Sequence, residues 1–423
     1  MMRNHSRSLC NLVYRLVVTT GLSLALAGRV TAQTFTTLHN FTALSGSLHT
    51  NSDGANPYAG LILSGNTLYG TTELGGSGGR GVVFSLNTDG KGFRTLHSFD
   101  LAGGGSPVTG LILSGNTLYG TTESGGVAGK GTVFGLNTDG TGFANLHAFR
   151  LSDLNGRAPY GTPAFFGNSD AAGPWSEVIL SGKRLYGTTQ AGGRSGFGTV
   201  FAVNTDGTGF RLVHTFTNGS DGSWPYGRLV LSGNTLYGTA SGGGDSRWGT
   251  VFAVNTDGTG FATLHSFTAI PGPYSGNYGG TNADGVQPYA GLILAGHTLY
   301  GTTYYGGSSG FGTVFGVNTD GTGFTNLHSF TALPPFPGGA ALPPTNSDGA
   351  NPYGGLSLSG HTLYGTTYYG GSSGHGTVFS ISLLAPVKPV IASPQVPLHR
   401  LTGMARLRSL VTWSGIRDRT RTD

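Results

Sequence analysis

The sequence predicts an all-β fold: a six-bladed β-propeller with four-stranded antiparallel blades. Three observations predict it. The peptide Leu-Tyr-Gly-Thr recurs six times, starting at Leu68, Leu118, Leu185, Leu236, Leu299 and Leu363, at intervals of 50 to 67 residues. A unit of that length suits one blade. Each unit contains short apolar runs separated by glycine-rich or Asp-Gly turns, without helical periodicity. Finally, the 78 glycines among 423 residues recur at turns and beside strands, a periodicity that disordered glycine-rich chains lack.

The fifth unit shows each element in order. Tyr289–Leu294 is a continuous apolar run, as expected of a strand buried on both faces. Ala295-Gly296-His297 turns the chain into a second strand, Thr298–Thr303. A glycine-rich loop, Tyr304–Gly312, leads to the third strand, Thr313–Val317. Asn318-Thr-Asp-Gly321 is a hairpin signal, because glycine tolerates positive φ. Phe324–Phe330 is the fourth strand.

The fourth-strand pattern is out of phase with the other three. It occurs at Phe35–Phe41, Phe93–Phe99, Phe143–Phe149, Phe210–Phe216, Phe261–Phe267 and Phe324–Phe330, so the first copy precedes unit one and unit six has none of its own. An open array would leave strand edges bare. The expectation is therefore a ring closed by the N-terminal strand, with Phe35–Phe41 pairing near Thr377–Ile381. An open β-solenoid, which needs no phase shift, is the alternative.

The chain divides into three regions. Residues 1–32 read as a secretory signal peptide: Arg3, Arg7 and Arg15 precede an apolar run, Leu16–Ala27, and Val30-Thr31-Ala32 offers a cleavage site. The only cysteine, Cys10, leaves with it. Residues 33–385 form the propeller. Residues 386–423 are a Pro/Arg-rich tail expected to be disordered, and a translated frameshift would read the same way. The basic charge lies at the ends. The body carries sixteen acidic against twelve basic residues, which argues against nucleic acid as its partner. The expected product is an exported, cysteine-free monomer, periplasmic or extracellular, without a transmembrane segment after signal cleavage.

Gly110-Leu-Ile-Leu-Ser-Gly-Asn-Thr-Leu-Tyr-Gly-Thr-Thr122, Gly131-Thr-Val-Phe134, Asn137-Thr-Asp-Gly140 and Leu146-His147 resemble the Gloeo–Verruco (GloVer) tandem repeat. The likeness spans about residues 34–385. It implies an exported bacterial repeat protein with a variable C-terminal anchor, and it implies no activity. No anchor is recognisable in the tail.

Chemistry is expected where the units differ. In a propeller, the loops joining a fourth strand to the next first strand share a face with those joining second to third, and these are the variable loops. The binding candidates there are Tyr304, Tyr305, Tyr368 and Tyr369, which open two glycine-rich loops, with Trp248, Phe311 and His375 near the loop ends. Phe197 shares that last column. Aromatics stack on sugar rings or anchor protein partners, so a glycan or a cell-surface protein is the expected ligand. Tyr58, Trp175, Tyr226, Tyr289 and Tyr353, which each follow a proline, read first as packing wedges.

Glu73 and Glu123 occupy equivalent places in adjacent units and are the candidates for acid–base catalysis on a glycan. No nucleophile motif, phosphate loop or metal spacing accompanies them, so no cofactor and no metal site is expected. The fourth-strand histidines (His39, His97, His147, His214, His265, His328) read as a repeated structural bond rather than converging ligands. The Asp-Gly aspartates read as turn residues. Binding module, carbohydrate hydrolase or lyase, and purely structural repeat remain as three readings of function.

Overall fold

The computed structural model describes residues 36–150, 170–271, 280–334 and 344–383. The expected signal peptide, the Arg/Pro tail and much of the two long inserts lie outside the described residues. The repeats belong to a compact unit that ends at Ser382.

Every described element is a strand, and every sheet is antiparallel. Sheet one comprises Ile62–Ser64, Thr67–Thr72, Val82–Asn87 and Arg94–Ser98, paired in chain order. Sheet two comprises Ile112–Ser114, Thr117–Thr122, Thr132–Asn137 and Ala144–Ala148. Sheet three comprises Ile179–Ser181, Arg184–Thr189, Thr199–Asn204 and Arg211–Thr215. Sheet four comprises Val230–Ser232, Thr235–Ala240, Thr250–Asn255 and Ala262–Ser266, and sheet five Ile293–Ala295, Thr298–Thr303, Thr313–Asn318 and Thr325–Ser329. Sheet six has three strands: Ser357–Ser359, Thr362–Thr366 and Val378–Ser382.

The repeated peptide explains how the sheets stack. Its leucine and tyrosine point to opposite faces, as strand geometry requires. Between sheets one and two, Tyr69, Val83, Leu96 and Phe99 meet Leu111, Leu118, Phe134 and Leu136. The same two sets meet between sheets two and three, three and four, and four and five. The third- and fourth-strand phenylalanines fill each junction; Phe99 meets Phe134 at 5.1 Å between ring centroids and Phe267 meets Phe315 at 5.4 Å. The glycine of Leu-Tyr-Gly-Thr makes room for this ring. A Cβ on Gly238 would sit 2.6 Å from Phe252 Cζ.

The Asn-Thr-Asp-Gly hairpins behave as their residues dictate. Gly140 has φ +88°, and Asp139 Oδ1 accepts bonds from the Thr141 amide at 2.9 Å and its hydroxyl at 2.7 Å. The register shifts between Val133 and Phe134, a bulge that recurs in sheets one, three, four and five.

The expected pairing of Phe35–Phe41 near Thr377–Ile381 is not among the described strand pairs. Residues 36–41 form no strand, and Val378–Ser382 pairs with Thr362–Thr366 only. The segment is instead held on sheet one by its side chains. His39 stacks on Phe93 at 3.9 Å and Phe41 packs on Phe84 at 5.5 Å. Among the described residues no ladder joins it to sheet six.

Candidate functional site

The two variable loop sets share one face. Residues just before each first strand bridge the loop after the second strand: Ala55 with Leu74, Gly105 with Ser124, Ser223 with Gly242, Val286 with Tyr305, and Ala350 with Tyr369. In sheet three the bridge widens into a short pair, Ala171–Ala172 with Ala191–Gly192.

Next in each unit comes a residue at positive φ, immediately before a proline: Asn56, Ser106, Gly173, Trp224, Gln287 and Asn351. Five of the six are not glycine, an uncommon conformation for L residues. The strain is offset by two hydrogen bonds. The amide of Trp224 donates to the Phe197 carbonyl of the preceding unit at 2.8 Å, and its carbonyl accepts the Ser241 amide at 3.2 Å. Gln287 does the same with Trp248 and Tyr304, and Asn351 with Phe311 and Tyr368. The proline ring covers the glycine that ends the previous loop; a Cβ on Gly312 would sit 2.6 Å from Pro352 Cδ. Second-strand threonines add links between units, such as Thr239 Oγ1 donating to the Ala290 carbonyl at 2.8 Å. The loop face is therefore a bonded floor.

The floor sorts the candidates. Phe311 is only 8% exposed and belongs to the interior, and its position serves through its carbonyl. Trp248 and Phe197 are half-buried against the inter-sheet cores. His375 is exposed. Tyr304 packs edge-on against Tyr305 at 4.6 Å, and Tyr368 against Tyr369 at 4.6 Å. Tyr368 is 60% exposed; the other three are half-buried.

The proline covers the loop of the preceding unit, and the ring after it packs on the equivalent ring of the next unit. Trp175, Tyr226, Tyr289 and Tyr353 form one row across sheets three to six, with centroid separations of 6.2, 5.5 and 5.5 Å. Tyr304 joins it, 5.7 Å from Tyr289 and 5.9 Å from Tyr353. Sequence reasoning discounted these rings because they recur. The usable signal was their place at the start of the first strand, where successive units approach. Burial, and then Tyr353, push the Tyr226 phenol up to about 12 against a hydrogen bond with Gln190 that lowers it. In unit two Val108 takes this position, so Tyr58 stands apart from the row.

Glu73 and Glu123 lie on the same face. Burial, and then the negative charge of Glu73, raise the Glu123 carboxyl above its ordinary value. Glu177 pairs with the exposed Arg228 at 3.3 Å.

The histidines are structural. His147, His214, His265 and His328 bond Asp170, Asp221, Asp284 and Asp348 through Nε2 at 2.9 to 3.2 Å, and His39 bonds Asp53 at 3.0 Å. Four of these aspartates lead Asp-Gly turns and Asp170, followed by Ala171, is the variant, so they tie the histidine segment to the loop that follows. Among the described residues no group of three His, Cys, Asp or Glu side chains lies together as a metal would need. A cavity of about 660 Å³ beside the fourth strand of sheet four is lined by Asp221, Asp245, His265 and Ser266, among others. Its polar groups serve the fold: Asp221 takes His214, His265 takes Asp284, and Ser266 accepts the Asp245 amide.

Three successive segments, 28–164, 163–279 and 272–393, match the Gloeobacter/Verrucomicrobia repeat. The chain belongs to that family. No curated protein matches it. Among solved structures, the nidogen/laminin complex is 12% identical over 68% of this chain and 83% of that one, with a TM-score of 0.38. TolB from Acinetobacter baumannii is 13% identical over 63% of this chain and 52% of its own, with a TM-score of 0.35. The GH74 enzyme of Niastella koreensis is 14% identical over 78% of this chain but 44% of its own, with a TM-score of 0.43. The family member thus spans about half the length of the last two. Likeness at this level carries no function across. Among the described residues no helix is long and apolar enough to cross a membrane.

Proposed function

We propose that this repeat protein is an exported binding module, built on a frame of six propeller-like blades, that holds a carbohydrate chain on its loop face. The continuous aromatic row from Trp175 to Tyr353 carries this reading. Sugar rings present C–H faces that stack on aromatic rings, while phenol hydroxyls bond the sugar hydroxyls at the edges. The exposed Tyr368 and its neighbour Tyr369 extend the aromatic surface beyond the row. A cell-surface protein would use the same rings as anchors.

A glycan array followed by titration calorimetry tests the reading. Wild-type protein is expected to retain at least one glycan class. Tyr289→Ala with Tyr353→Ala should weaken it by tenfold or more at unchanged thermal stability. An array without a hit, or row variants that bind like wild type, would sink the idea.

One observation favours a second reading, carbohydrate hydrolysis. Glu73 and Glu123 share the loop face, and burial and then the charge of Glu73 raise the Glu123 carboxyl, as a general acid requires. Release of reducing ends from a polysaccharide panel by wild type, abolished in Glu123→Gln, supports it. A panel left intact by wild type removes it.

A further inference from the structure

The two ends of the array are open, and they are open in complementary ways. In sheets two to six the first-strand leucine or valine is buried by the sheet before; Leu111 is 3% exposed and Leu356 6%. Its equivalent in sheet one, Leu61, is 52% exposed. In sheets one to four the second-strand tyrosine is buried by the sheet after, whereas Tyr364 of sheet six is 43% exposed. Val378, whose equivalents Val83, Val133, Val200, Val251 and Val314 are fully buried, is 81% exposed. Sheet six therefore shows the tyrosine–valine half of the repeated junction, and sheet one the leucine half.

The N-terminal segment is already half installed. His39 stacks on Phe93 as His97 does on Phe143. Phe41 packs edge-on to Phe84 as Phe99 does to Phe134. Leu38 lies against the Gly90 turn as Leu96 lies against Gly140. Each of these is a contact that a fourth strand makes with the next sheet. What is missing is the other half, the backbone ladder to a third strand, and among the described residues Val378–Ser382 is the one third strand without a fourth.

We propose that this bare edge is the docking site for residues 36–40 of the same chain, which complete sheet six and bring its exposed face onto sheet one. The register follows from the five complete sheets. Val82 pairs with Ser98, Val83 with His97, Phe84 with Thr95 and Ser85 with Arg94. Transposed, Thr377 faces Asn40, Val378 faces His39, Phe379 faces Thr37 and Ser380 faces Thr36. The occupant is the chain's own segment rather than a second copy, because tethering makes the encounter intramolecular, with an effective concentration in the millimolar range. Docking also removes both bare edges at once, as an all-β protein requires. The inference rests on the six-blade frame and not on the glycan reading.

The test uses the full chain with Cys10→Ser, Thr36→Cys and Ser380→Cys. Antiparallel partners lie within disulfide reach. The expected product is an intramolecular disulfide at monomer mass, in yield independent of protein concentration. Hydrogen exchange on the unsubstituted chain is the second measurement, free of any folding defect in the variant. Val378–Ser382 amides should exchange as slowly as Thr250–Asn255 of sheet four. Crosslinks between molecules that grow with concentration would assign the edge to a second copy and overturn the proposal. Rapid exchange of Val378–Ser382 with no crosslink would overturn it as well.

Discussion

His97 is the fourth-strand histidine without an aspartate. Its Nε2 is buried and makes no hydrogen bond, and burial lowers its pKa. The position that holds aspartate in the five other units is Gly103 here, and a Cβ added there would lie 3.9 Å from His97 Nε2. Gly103→Asp is expected to supply the absent partner and raise stability by about 1 kcal/mol, the net worth of one hydrogen bond. Asp100 limits the gain, because its Oδ1 lies 3.2 Å from the new Cβ. Urea midpoints of the two proteins check this. The existing pairs also set an acid limit. Burial pushes the Asp284 carboxyl up, but bonds from His265 and Thr268 outweigh it and hold the carboxyl below its ordinary value. Asp221 behaves likewise with His214 and Thr217. A carboxyl whose folded pKa is depressed stabilises the fold above its unfolded value, and that contribution is lost as pH falls through the folded one. Thermal midpoints should therefore hold down to about pH 4 and drop below it, and Asp284→Asn should shrink the drop. At this scale the sequence showed that the histidines are structural. It could not show that turn aspartates are their partners, because His265 and Asp284 are distant in the chain and meet only when the fourth strand returns to the loop.

The second, third and fourth strands were legible because apolar patterning and turn chemistry are local properties. The first was not: the strand expected over Tyr289–Leu294 and buried on both faces is Ile293–Ala295, half-buried at the start of its sheet. Each Leu-Tyr-Gly-Thr became a second strand and each Asn-Thr-Asp-Gly a hairpin. The glycine inside the repeat was legible only as periodic; the reason for it is the ring of the neighbouring third strand. Gly238→Ala should cost about 1–3 kcal/mol, since the added methyl overlaps Phe252 in a filled junction. Gly233→Ala, at a turn with φ +56° and open space around it, should cost about 1 kcal/mol from backbone strain alone. Chemical denaturation separates the two. The aromatic row was the element-scale miss. Trp175, Tyr226, Tyr289 and Tyr353 lie 51 to 64 residues apart in sequence, and only the stacking of sheets makes them neighbours.

For the whole molecule the ends decide the behaviour. If sheet six docks on sheet one, Leu61 becomes as buried as Leu111, and Leu61→Ala should cost about 2–5 kcal/mol, as core leucine truncations do. An array with free ends predicts a change near zero for Leu61→Ala and the full cost for Leu111→Ala, so equal thermal shifts for the two variants are the expected outcome. The sequence by itself determined the all-β antiparallel class, the six units, their second to fourth strands and hairpin turns, and the family, because each depends on residues close together in the chain. The tertiary structure decided which rings form a surface, which carboxylates sense each other and which faces stay bare. Those properties depend on how one unit is placed against the next, and a repeat that looks the same in every copy does not encode where its own series stops.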